Sequence, residues 1–115
     1  MSMEDTACLL YTGGTTGVPK GAELTHGNLL VNAMQCQVWL NTQPAGEIVL
    51  AALPMSHSYG MTTAMNFPIV CGGSLLLIPN PRDIRDVLAN IQHHRPTAYP
   101  GVPTMYVAIN NHPDV

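Results

Sequence analysis

The sequence predicts an α/β protein, a βαβαβ unit with a parallel sheet, preceded by a β-hairpin. Three observations carry this. The apolar runs EIVLAALP at 47–54 and SLLLIP at 74–79 have the unbroken character of strands covered on both faces. A third short apolar segment, TAYPGV at 97–102, follows them. The intervening stretches have helical spacing and exceed the dozen or so residues that a parallel connection needs.

Taken in order, TACLLYT at 6–12 is short and apolar, ends at glycines and reads as a strand. GAELTH at 21–26 forms a second strand, making a hairpin around the loop between them. A helix follows, capped by Thr25 or His26, with Leu29, Leu30, Ala33, Met34 and Val38 as its apolar stripe. NTQPAGE at 41–47 is a turn-rich break. YGMTTAMNFPIVCGG reads as helical until Pro68 interrupts it. In DIRDVLANIQHHR, Ile84, Val87, Leu88 and Ile91 fall at i, i+3, i+4 and i+7, the clearest amphipathic helix of the chain. Asn80 before Pro81, or Asp83, caps it, and His93–His94 suit the negative end of its dipole. PTMYVAINN begins with Pro103 at a first helical position and stops before Pro113.

The chain has 115 residues, enough for one modest core. Charged residues make up only 10%, where a free-standing domain has about a quarter. Part of this surface is therefore expected to face something else, as in a piece of a larger protein. A net charge of −3 with no basic run argues against nucleic acid as a partner. No apolar run reaches the roughly 18 residues of a membrane span, and no signal peptide is recognisable, so a cytoplasmic protein is expected. Cys8, Cys36 and Cys71 have no metal-ligand spacing and read as reduced, mostly buried thiols.

The chemistry concentrates in YTGGTTGVPKGAELTH at 11–26. This is not a Walker A loop, since Lys20 stands between Pro19 and Gly21, and the spacing of a dinucleotide fingerprint is missing. Gly13, Gly14 and Gly17 allow close backbone approach to a ligand. Thr12, Thr15 and Thr16 add hydroxyls, and Lys20 adds a point charge suited to phosphate. Composition alone leaves a mobile surface hairpin open as the alternative.

The longer string YTGGTTGVPKGAELTHGNLL resembles the phosphate-loop signature of the AMP-forming adenylate-forming enzymes, and looks most like the long-chain fatty-acid–CoA ligases among them. LPMSHSYGMT at 53–62 and RPTAYPGVPTMY at 95–106 resemble the next segments of that family. The resemblance implies a 1–115 fragment of the AMP-binding, large N-terminal domain of an acyl-CoA synthetase. It implies roles for Thr12 at magnesium, for Gly13, Gly14, Thr15, Thr16, Gly17 and Lys20 at the ATP phosphates, and for His57 beside the acid carboxylate and α-phosphate. Tyr59 falls on a neighbouring aromatic at the substrate. Met55, Met61, Met65 and Met105 read as core filling, with the alternative that Met61 and Met65 help line an acyl tunnel just beyond His57, where a flexible thioether tolerates varied chains. Ser56 departs from the pattern, where an aromatic is usual, which touches local packing and substrate fit. The implied reaction joins a fatty acid to CoA through an acyl-adenylate, using MgATP. Another acid, a carrier protein as acceptor, or a noncatalytic nucleotide- or acyl-binding module stays open. The family's magnesium-binding Glu, ribose-binding Asp and catalytic lysine belong to segments beyond this chain. The chain alone is therefore expected to lack ligase activity and, with strand edges and core faces bare, to self-associate. In the longer protein a peripheral position at the membrane is also open.

Overall fold

The computed structural model describes residues 1–12, 17, 19–43, 45–113 and 115, with Thr12 described by its backbone alone. Strand β1 (Thr6–Thr12) pairs antiparallel with β2 (Lys20–Thr25), and Thr12 stands opposite Lys20 in the ladder. Helix α1 (His26–Leu40) follows directly. Thr25 is its cap: its hydroxyl accepts from the Asn28 N–H at 3.2 Å, and the Asn28 side chain accepts from the Thr25 N–H at 3.0 Å. Such a reciprocal pair satisfies two otherwise unpaired donors and fixes where the helix begins.

Strand β3 (Ile48–Ala51) pairs in parallel with β4 (Ser74–Leu77), Ile48 beside Ser74 and Ala51 beside Leu77. The strand expected over 97–102 is reduced to one parallel bridge, Ala98 to Val49, held by the Leu50 N–H to Ala98 carbonyl bond at 2.9 Å and the Thr97 N–H to Ile48 carbonyl bond at 2.8 Å. Pro96 and Pro100 flank it. Neither has an N–H to donate, so the ladder cannot lengthen. The spatial order is thus β4, β3, then the Ala98 segment, and the chain crosses back over β3 to reach it.

The link from β3 to β4 departs from expectation at Pro68. A short turn α2 (Ser58–Gly60) runs into a π-helical stretch (Met61–Asn66) and on into α3 (Phe67–Val70). The Phe67 N–H reaches back five residues to the Thr62 carbonyl, so the helix is already widened where the proline ring enters. Pro68 is fully buried within it. The helix ends only at Gly72, at φ 65°, where the Gly73 N–H bonds the Pro68 carbonyl at 2.9 Å. Helix α4 (Ile84–His94) is capped by the Asp83 carboxylate, which accepts from the Asp86 N–H at 3.2 Å, and α5 (Pro103–Asn110) begins with proline as expected.

The core explains the unbroken apolar run of β3. Leu50 packs with Ala52, Ile78 and Val87, and Leu76, Ile91, Met105 and Ile109 close around them. Val49, one residue earlier and on the opposite face, packs with Phe67 and Cys71, against Cys36 and Ala98. Helices α4 and α5 thus cover one face of β3, and α1 with α3 the other, so neither face tolerates a polar side chain. Cys71 is buried, and Cys8 and Cys36 are half-buried free thiols.

Candidate functional site

The hairpin presents the Gly/Thr-rich loop. Thr12 and Lys20 are paired across the ladder, so the two ends of the loop are held together by strand hydrogen bonds. Gly13, Gly14, Thr15 and Thr16 lie outside the described residues. Gly17 has φ 137°, a backbone conformation open to glycine, and the space where a Cβ would stand is empty. Lys20 is exposed at the start of β2.

The second part of the site lies where the parallel strands end. After β3, the Pro54 carbonyl accepts the His57 N–H at 3.1 Å, and the His57 carbonyl accepts the Met61 N–H at 2.8 Å. The chain therefore turns sharply, and Gly60 packs directly on the Leu53–Pro54 backbone. His57 caps the turn it begins: its Nδ1 accepts from the Tyr59 N–H at 3.2 Å. An acceptor Nδ1 places the ring proton on Nε2, making the imidazole a donor at its other nitrogen.

His57 lines a cleft of about 490 Å³. Its walls come from Ala52–Pro54 after β3, from Pro81 and Arg82 after β4, and from Val102, Thr104 and Met105 after the Ala98 bridge. All three segments follow the carboxyl ends of parallel strands, at the point where the strand order reverses about β3. Open α/β sheets bind ligands in that crevice, where no connection blocks the strand ends. The lining is mainly carbon, with His57, Tyr59, Arg82 and Thr104 as its polar side chains.

Tyr59 also borders a smaller apolar cavity of about 320 Å³, shared with Phe67, Ala98, Tyr99 and Tyr106. Its hydroxyl stands 3.5 Å from the Gly101 carbonyl, and Thr63 donates to its backbone carbonyl at 2.7 Å. The Tyr106 hydroxyl donates to the Tyr99 carbonyl at 2.8 Å, and the two rings meet edge to face at 5.7 Å. Burial, and then the neighbouring Tyr106, push the Tyr99 phenol above its ordinary value. Met61 faces a different space, bounded by Leu10 of β1, Leu24 of β2 and Asn32 of α1. There the Thr62 hydroxyl donates to the Asn32 side chain at 3.1 Å, tying the π-helical stretch to the helix behind the β1–β2 hairpin.

Sequence reading thus placed His57 and Tyr59 in one cleft and Lys20 and Thr12 on one hairpin. It overlooked Arg82 and Thr104. Their signal was positional, since each follows the end of an apolar segment predicted as a strand. Met105, read as core filling, both packs on the Leu50 cluster and lines the cleft. Among the described residues no group of three His, Cys, Asp or Glu could hold a metal ion, and no helix is long and apolar enough to cross a membrane.

The sequence profile of a family described as AMP-binding enzyme matches residues 1–115. A long-chain-fatty-acid–CoA ligase of Bacillus subtilis (strain 168) is 43% identical over 112 residues, covering 96% of this chain and 20% of that protein. A feruloyl-CoA synthase of an Amycolatopsis species is 38% identical over 114 residues, covering 98% of this chain and 23% of that protein. Among solved structures, the o-succinylbenzoate coenzyme A synthetase of Bacillus subtilis in complex with ATP and magnesium superimposes with a TM-score of 0.84 at 34% identity. That match covers 95% of this chain and 22% of the other. The chain spans about a fifth of the length of the first of these relatives, at 20%.

Proposed function

The chain belongs to the AMP-binding enzyme family, and from that premise we propose that it is the phosphate-loop segment of the large N-terminal domain of an ATP-dependent, AMP-forming acid–CoA ligase. The observation that carries this reading is the His57 cleft at the strand ends, mainly apolar and supplied with one imidazole donor. The proposed acid is a long-chain fatty acid. The relatives of 43% identity support that choice, and the apolar cavity beyond Tyr59 is compatible with an alkyl chain.

In the proposed first step the carboxylate oxygen attacks the α-phosphorus of ATP. The bond to the bridging oxygen breaks, pyrophosphate leaves with that electron pair, and acyl-adenylate forms. The thiol of CoA then attacks the acyl carbon, releasing AMP and the thioester. The hairpin contributes at the leaving group: Thr15, Thr16, Gly17 and Lys20 hold the β- and γ-phosphates through backbone and ammonium donors. Magnesium, when bound with ATP, neutralises charge on the departing pyrophosphate. The Thr12 hydroxyl would be the protein ligand of such an ion, as the sequence resemblance implies, with phosphates and water supplying the remaining oxygens. His57 orients the carboxylate and stabilises charge at the reacting phosphoryl group through its Nε2 hydrogen, without itself moving a proton.

The test is acid-dependent ATP–pyrophosphate exchange by the longer protein, with acids from acetate to palmitate. Exchange is expected to rise with chain length and to fall about 100-fold in Lys20→Ala and in His57→Ala. Turnover unchanged in both variants would sink the site assignment, and a preference for short or aromatic acids would overturn the choice of substrate.

A further inference from the structure

The His57 cleft contains one permanently charged side chain among its lining residues, Arg82, in a chain with only four Lys plus Arg. Its position follows from local chemistry. Just beyond β4, the Asn80 side chain accepts the Arg82 N–H at 3.3 Å, and the Asn80 carbonyl accepts the Asp83 N–H at 3.1 Å. Pro81 between them restricts the backbone further. The nearest carboxylates in sequence are engaged elsewhere: Asp83 caps α4 through the Asp86 N–H, and Asp86 accepts from the Asn90 side chain at 3.0 Å. Among the described residues no ion pair joins Arg82 to either. Arg82 is exposed where it lines the cleft, so its guanidinium is accessible to an incoming anion and acts on it through a partly screened attraction.

We infer that Arg82 is the anion-recognising side chain of this cleft, and that it receives an oxyanion of a bound substrate, either the carboxylate of the acid or a phosphate of ATP or CoA. The identity of that anion rests on the ligase reading. The preference for an anion over a neutral ligand of the same shape does not. Arg82 acts here as a binding and specificity residue, beside the orienting role of His57.

The experiment measures equilibrium binding of dodecanoate, dodecan-1-ol, ATP and CoA to the full-length protein and to its Arg82→Ala and Arg82→Lys variants. One of the three anions is expected to bind about tenfold more weakly to Arg82→Ala, with partial recovery in Arg82→Lys and with dodecanol unchanged. Loss confined to dodecanoate assigns the carboxylate, and loss confined to ATP or CoA assigns a phosphate. Three anions within twofold of the parent protein would overturn the inference, as would a parallel loss of dodecanol, which marks packing rather than charge. Guanidinium and carboxylate both stay charged, so an Arg82-dependent preference for dodecanoate is expected to be flat from about pH 6 to 8. Absence of acid-dependent pyrophosphate release in the parent protein would end the ligase reading, and the binding of all four ligands to the Arg82 variants would still decide Arg82.

Discussion

A methyl group on Gly60 would come within 2.2 Å of the Pro54 carbonyl oxygen, closer than a non-bonded Cβ approaches an oxygen. The obstacle is backbone, which cannot swing aside, so the turn that presents His57 would have to open. Gly60→Ala is expected to cost about 3 kcal/mol and to lower the urea midpoint. An unchanged midpoint would show that the turn tolerates a side chain. The Tyr99 phenol gives a second residue-scale prediction. Its ionisation is held above the ordinary tyrosine value by burial and by Tyr106, so on raising the pH the unfolded chain releases this proton before the folded one does. Stability from this source is therefore complete below about pH 10 and declines as pH rises from there toward the folded value. Tyr99→Phe should flatten that decline in urea titrations repeated at increasing pH, and an equally steep decline in the variant would exclude Tyr99 as its origin. The resemblance of LPMSHSYGMT pointed to His57 and Tyr59, but the need for glycine at 60 was hidden, because it arises from a backbone contact that no side-chain pattern records.

At the scale of elements, the hairpin, α1, β3, β4, α4 and α5 were legible because each has a local cause: an apolar run, a cap or a proline at a helix start. The capping box is the sharpest of these. Thr25→Ala removes the oxygen that accepts the Asn28 N–H and should lower stability by about 1 kcal/mol, whereas Thr25→Ser should restore most of it. Equal losses in both would mean that the methyl group, rather than the hydroxyl, matters at this position. The same cap joins β2 to α1 and so sets how the hairpin meets the helix behind it. Two elements were misjudged for reasons outside local pattern. The 97–102 segment is apolar enough for a strand, but Pro96 and Pro100 leave hydrogen bonding only around Ala98. Helix through Pro68 depends on the widened turn before it, and a hydrogen bond spanning five residues leaves no periodic mark in the sequence.

The whole molecule is less compact than its length allows. Its radius of gyration is 15.9 Å and its extents are 47 × 40 × 22 Å, where a self-contained domain of this size has a radius near about 13 Å. Its accessible surface is 7776 Å², against roughly 6,100 Å² for a folded monomer of the same mass. The excess has a location. Helix α1 carries no charged residue and exposes Val31, Met34, Val38 and Trp39, the last two 79% and 84% exposed. The low charge noted in the sequence thus becomes a specific surface, a helix face that is apolar without being covered by the described residues. In the longer protein such a face needs a partner surface, and in the 115-residue chain alone the available one is a second copy. The isolated chain is therefore expected to associate with itself at micromolar concentration and to show no ATP–pyrophosphate exchange. Val38→Glu with Trp39→Glu should shift sedimentation toward the monomer without altering the helical circular dichroism signal. A parent chain that sediments as a strict monomer would mean that this face is tolerated in water. Association unaffected by the two charges would place the contact elsewhere, and the exposed edge of β4 beside Leu77, itself 61% exposed, is the next surface to charge.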